Sequence, residues 1–109
     1  SAASDVYKRQ QLTNPDFSPA KKEKIWQKYQ GKRVVWECMI LQIQATEGNN
    51  RLFLNCGPNL TTIDTIAYFN QEWWSELFLL EKGSTIKVSG ILDSYSGGVY
   101  AIKNCQLLK

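Results

Sequence analysis

The chain has 109 residues, with 13 Lys or Arg against 10 Asp or Glu, 43% hydrophobic residues and no histidine. That length builds one domain with a core of its own, and the balance of apolar and charged residues excludes global disorder. The lack of histidine removes the commonest general base and metal ligand, and with them every Ser-His or Cys-His arrangement. No apolar run approaches the roughly 18 residues that a membrane-spanning helix needs.

Residues Ser1 to Gln10, SAASDVYKRQ, resemble a translated sequencing adapter. A transposase mosaic end read in frame gives Asp5 to Gln10, and the primer stretch before it gives Ser1 to Ser4. We expect this segment to be foreign to the domain, and it is set aside as a tag would be. On that reading a signal peptide or lipoprotein signal is neither indicated nor excluded. The remaining charge is uneven. Residues 11–33 hold six basic groups against two acidic ones, whereas residues 34–109 hold five basic against seven acidic. A weakly negative body with one basic helix is not the footprint of a strongly basic nucleic-acid binder.

Gln11–Phe17 contains Asn14-Pro15 and reads as a lead-in loop, so the domain is placed at residues 18–109. Ser18-Pro19 is an N-cap followed by proline in the first helical position. Ile25, Trp26 and Tyr29 form an apolar stripe, Gly31 is a C-cap, and lysines cover the other face. Lys32–Ala45 is a strand apolar on both sides, with Val34, Trp36, Cys38 and Ile40 alternating with Val35, Glu37, Met39 and Leu41. A long strand shared by two sheets has this pattern, and a bulge near Cys38–Leu41 would let it bend. Glu47-Gly48-Asn49-Asn50 is a turn. Arg51–Cys56 is a second strand, with Leu52, Leu54 and Cys56 on one face and Arg51, Phe53 and Asn55 on the other. Gly57-Pro58-Asn59 ends it, and Thr62–Phe69 is a β-branched and aromatic third strand.

Asn70 is placed to cap a second helix, with Glu72 favourable at its N-terminal dipole. Trp73, Leu77 and Leu80 lie at i, i+4 and i+7, and Trp74 and Phe78 form a parallel row. That stripe is too wide for a helix with a narrow contact, so both tryptophans are expected in the core. Trp26 and Trp36 are expected to pack the first helix onto the strands. Gly83 ends the second helix, Thr85–Leu92 is a fourth strand, Asp93–Gly98 is a loop carrying Tyr95, and Val99–Leu108 is a fifth strand. Cys38, Cys56 and Cys105 are odd in number, lack a C-x-x-C pair and suggest no zinc site. Each is expected to be a free, buried small hydrophobe. The alternative, a disulfide between two of them, requires an oxidising compartment.

One helix interrupting five short strands is the element order of the OB-fold, a mainly β, five-stranded Greek-key barrel. It would carry an N-terminal helix and a helix between strands three and four, with Trp73, Leu77 and Leu80 plugging the barrel. The residues Trp26-x-x-Tyr29-x-Gly31-Lys32-x-Val34-x-Trp36, Asn59-x-x-Thr62-x-Asp64 and Leu80-x-Lys82-Gly83-x-x-Ile86-x-Val88-x-Gly90-x-Leu92-Asp93-x-Tyr95 are similar to bacterial OB-fold domains of the tRNA-anticodon-binding-like type. The resemblance covers residues 19–108. Related domains often carry glycine where this chain has Cys38, which bears on the bend of the first strand. The resemblance implies the fold and a small stand-alone or envelope-associated protein. It assigns no catalytic or binding residue.

OB-folds bind single strands on their second and third strands, between the loops joining strands one to two and four to five. Stacking on aromatics beside a basic groove supplies the energy. The candidates for a nucleic-acid or partner contact are Arg51, Phe53 and Asn55 with Tyr68, Lys87, Tyr95 and Lys103. The competing structural reading has Phe53 and Tyr68 partly buried and Tyr95 packed over its loop. The basic helix is read as a solvated face, with phosphate contact or docking on an anionic membrane surface as the other readings. Glu72 and Glu76 share a helix face as solvated carboxylates. No Gly-rich phosphate loop, metal cluster or nucleophile–base pair appears, so no enzyme, catalytic residue, metal or cofactor is expected. Two partner classes remain: single-stranded nucleic acid or a tRNA-like element, and a protein partner of a cytoplasmic or envelope-associated module.

Overall fold

The computed structural model describes residues 19–57 and 62–108. The adapter-like segment, the lead-in loop, the Ser18 cap and the Pro58-Asn59 break lie outside the described residues. Helix α1 spans Pro19–Tyr29. Gly31 follows at φ +83, a left-handed turn that glycine adopts without a Cβ clash. Its N–H donates to the Leu92 carbonyl at 2.8 Å, and the Leu92 N–H donates to that of Lys32 at 3.0 Å. Trp26 brings α1 down onto Tyr95 and Tyr100, with ring centroids 6.3 and 6.5 Å away, and Trp36 meets Tyr100 edge-on at 5.5 Å. The expected docking of α1 is therefore made through an aromatic cluster around the fully buried Tyr100.

Strand β1 runs from Arg33 to Thr46, β2 from Asn49 to Asn55, β3 from Thr65 to Tyr68, β4 from Thr85 to Ser96 and β5 from Val99 to Leu108. Residues 33–39 of β1 pair with β4, and residues 39–46 pair with β2. The register slips between Ile40 and Gln42, leaving Leu41 as an extra residue, so the expected bulge is present and turns one strand between two partners. The order β1-β2-β3-β5-β4 closes back on β1. β3 and β5 are parallel and every other pair is antiparallel. This is the five-stranded OB-fold barrel. Val34, Trp36, Ile40, Leu52, Leu54, Val88, Leu92 and Ile102 fill it, and burial of each such side chain contributes about 1.5–3 kcal/mol relative to exposure.

Between β3 and β4, Gln71–Trp73 form a turn of 3-10 helix that leads into the five-residue helix α2, Trp74–Phe78. Leu77 is fully buried, and Trp73 and Leu80 pack against the core, so the expected plug is in place. Two details differ from the sequence reading. The Asn70 side chain makes no capping bond; the neighbouring Gln71 Oε1 instead accepts the Gly48 N–H at 3.0 Å, tying the β1–β2 turn to the plug. Trp74 and Phe78 are not in the core but stack on each other outside it at 5.6 Å. Side chains one residue apart on a helix differ by about 100°, and a helix this short presents one narrow stripe, which Leu77 occupies.

Three further expectations are corrected. Cys38 and Cys56 are joined by a disulfide with Cα atoms 4.1 Å apart. They follow directly from the Met39–Asn55 register pair, so the β1–β2 ladder sets them face to face. Only Cys105 is a free buried cysteine, and burial pushes its thiol up to about 12. The expected loop at Asp93–Gly98 is mostly strand. β4 continues to Ser96, Tyr95 pairs with Tyr100, and Gly97-Gly98 alone make the turn, at φ +59 and +82. Two adjacent glycines supply both positive φ values of a two-residue hairpin. The third strand starts at Thr65, later than expected. Asp64 accepts the Cys56 and Gly57 N–H groups and the Thr65 hydroxyl at 2.9–3.0 Å, holding the chain in a turn ahead of the strand.

Candidate functional site

Strand alternation divides β2 into an inner and an outer row. Leu52 and Leu54 point inward and are fully buried, while Arg51 and Phe53 are half-buried on the outer surface. Arg51 pairs across the ladder with Tyr68 on β3 and Gln44 on β1, and Phe53 with Ile66 and Gln42. The Arg51 guanidinium lies over the Phe53 ring with its carbon 5.0 Å from the centroid, and its Nε–H donates to Gln44 Oε1. Tyr68 is 39% exposed. The outer face of β2–β3 is thus a short platform in which one cation lies over a phenyl ring, with a phenol on the neighbouring strand. Stacking over a ring contributes about 0.5–1 kcal/mol at an exposed site and fixes the direction of the guanidinium.

The structure brings three of the seven sequence candidates, Arg51, Phe53 and Tyr68, onto one surface. Three of the other four lie elsewhere, and Lys103 flanks the platform on β5, one position beyond the Ala67–Ile102 pair. Strand alternation puts Asn55 in the outer row, but it is 2% exposed and its amide nitrogen donates to the Thr62 carbonyl at 2.6 Å. Alternation fails there because β2 ends at Asn55, where the amide ties the strand to the segment leading into β3. Tyr95 turns toward the α1 side, its ring 4.5 Å from that of Tyr100. Lys87 is exposed on the β1–β4 flank opposite Glu37. Lys103 is exposed on β5, with its ammonium 3.1 Å from Asp93. Missed by the sequence reading were Gln42, Gln44 and Ile66, which complete the platform. The alternation Leu41-Gln42-Ile43-Gln44-Ala45 carried the signal, because the bulge shifts the polar pair outward.

Electrostatically the platform carries a single positive charge. Arg51 is its one cation, and Asp93 neutralises Lys103 nearby on β5. Among the described residues no group of three or more Cys, Asp or Glu could hold a metal ion, and no helix is long and apolar enough to cross a membrane.

No family model matches the chain, and no curated protein matches it. Among solved structures it is similar to a lipoprotein of Klebsiella pneumoniae subsp. pneumoniae provisionally assigned as nucleic acid-binding. The TM-score is 0.57 and the identity 17%, over 79% of this chain and 77% of that one. A weaker likeness, with TM-score 0.47 and 20% identity, is to RecG bound to a three-way DNA junction, covering 72% of this chain and 11% of that one. The first likeness supports the barrel fold.

Proposed function

We propose that the chain is a binding module without chemistry of its own, and that it holds a short stretch of single-stranded nucleic acid on the outer face of β2–β3. The observation that carries this reading is the Phe53–Arg51–Tyr68 platform. Two rings offer stacking surfaces to two bases, at about 1–3 kcal/mol each, with little regard to sequence. Arg51, over the Phe53 ring and across the ladder from Tyr68, supplies a charged donor for a phosphate or a base edge. OB-folds in general bind such ligands on this face, and the nucleic acid-binding assignment of the Klebsiella lipoprotein is in keeping with the reading.

The charge distribution makes the complex weak and only mildly salt-dependent. With one cation on the platform, the slope of log K against log salt should be near −0.7, the value for one neutralised phosphate on a single strand. Fluorescence anisotropy of a labelled decathymidylate at low salt tests this. Phe53→Ala should weaken binding by about 1–3 kcal/mol through lost stacking. No binding at protein concentrations of tens of micromolar would refute the reading. The alternative, an envelope-associated module that binds a protein on the same barrel, is favoured by the Cys38–Cys56 disulfide, because such bonds persist in oxidising compartments. That alternative takes over if the titration is flat.

A further inference from the structure

The end of the barrel closed by α2 has an unusual surface. Trp74, Phe78 and Leu79 are 41%, 66% and 79% exposed, and three large apolar side chains in six residues form a cluster rather than a scatter. Trp74 and Phe78 are stacked, and the Trp74 Nε1–H donates to the Ala45 carbonyl at 3.1 Å, so this edge of the cluster is held in place. On another side of α2 lies a groove of about 490 Å³, lined by Trp73, Leu80, Ile86, Leu107 and Leu108, with Glu76, Thr85 and Lys87 as its polar members. Its size suits a single anchoring side chain or a short segment.

The charges around this cluster are mainly acidic, four carboxylates against Lys82 and the groove-lining Lys87. Glu72, Glu76 and Glu81 come from the same segment and are exposed. Glu47 is added by the β1–β2 turn that Gln71 holds against the plug. Lys82 is the one basic residue in the segment 71–82, and among the described residues none of these four carboxylates is in an ion pair. An acidic rim repels a nucleic-acid strand and an anionic membrane alike. A second copy of this chain is a poor occupant, because Trp26 and Tyr29 of its basic helix α1 already pack against its own core. The occupant that matches both features is a segment with apolar side chains on one face and lysine or arginine beside them, docked as an amphipathic helix docks in an apolar groove.

We propose that the α2 end of the barrel is a docking surface for a cationic amphipathic segment of a partner protein. The proposal is independent of the platform on β2–β3. The probe is a fluorescein-labelled 18-residue Leu/Lys amphipathic peptide, with a Leu/Glu peptide of the same pattern as control, titrated with the full chain at low and at physiological salt. The Leu/Lys peptide should bind and the Leu/Glu peptide should not. Phe78→Ser with Leu79→Ser should weaken binding about tenfold or more. Glu72→Gln with Glu76→Gln and Glu81→Gln should weaken it by a similar factor and flatten its salt dependence. Leu79→Ser alone, at the most exposed position, gives a readout that does not depend on the stack, and Phe53→Ala should leave the affinity unchanged. Equal binding of the two peptides, or affinity unmoved by both the apolar and the glutamate variants, would overturn the proposal. So would binding to phosphatidylglycerol vesicles that Phe78→Ser abolishes, or a dimer in sedimentation that the same variant dissociates.

Discussion

Reducing the Cys38–Cys56 bond should cost the domain a large part of its stability. The bond joins positions 18 residues apart in sequence. In the chain-entropy treatment, cross-linking a loop of that size removes about 11 cal/mol/K from the unfolded ensemble, or about 3 kcal/mol at 25 °C. In a domain of this size each kcal/mol moves the midpoint by about 4–8 °C, so the melting temperature should fall by roughly 12–24 °C. Reduction in place by a phosphine is the cleaner perturbation, since replacing the buried Cys38 by alanine would add a cavity. The half-buried Cys56 gives the reductant a way in. Thermal melts followed by circular dichroism, with thiol titration in denaturant rising from one to three groups per chain, make the comparison. Identical midpoints before and after complete reduction would refute the claim that the bond braces the β1–β2 ladder.

Leu77→Ala should cost about 2–5 kcal/mol in urea unfolding, because it truncates a fully buried side chain at the centre of the plug, whereas the exposed Glu76→Ala should change little. Gly90→Ala should cost about 1–3 kcal/mol, since its Cβ would stand 2.7 Å from Cys105 Sγ and 3.1 Å from Ile102 Cβ; adding Cys105→Ala should return part of the loss, which a double-mutant cycle would read. Burial holds the Cys105 thiol protonated up to about pH 12, while the unfolded chain releases that proton from about pH 8.5. This contribution to stability is therefore intact below about pH 8.5 and declines as pH rises toward 12. Cys105→Ala should remove that part of the alkaline slope in chemical denaturation measured across the range.

The barrel was legible in the sequence because its signals are local and redundant. Period-two alternation marked β1, β2 and β5, and one apolar stripe carried Trp73, Leu77 and Leu80 to the plug. The errors came where a tertiary fact overrides a local one. Trp74 and Phe78 belong to the apolar row of a helix, but a helix of five residues has one buried line, and Leu77 holds it. The disulfide depended on the pairing register of two strands, which the spacing of cysteines does not encode. Asp93–Gly98 looked like a loop because glycine and serine are common in turns, yet two glycines suffice for the hairpin and Tyr95 stays in the strand. At the candidate site, Arg51, Phe53 and Tyr68 were found from strand alternation and fold topology. Asn55 fell inside because the strand ends there, and Gln42 and Gln44 came outside because a bulge of one residue exchanges the faces beyond it.

Titration of the nitrogen-15-labelled protein with a short single-stranded oligonucleotide, followed by amide chemical shifts, locates the bound strand residue by residue. Shifts should saturate together and cluster at Arg51, Phe53, Ile66 and Tyr68, with the α2 end silent. Shifts confined to the lysines of α1, or no shifts at all at millimolar oligonucleotide, would contradict binding on the β2–β3 face.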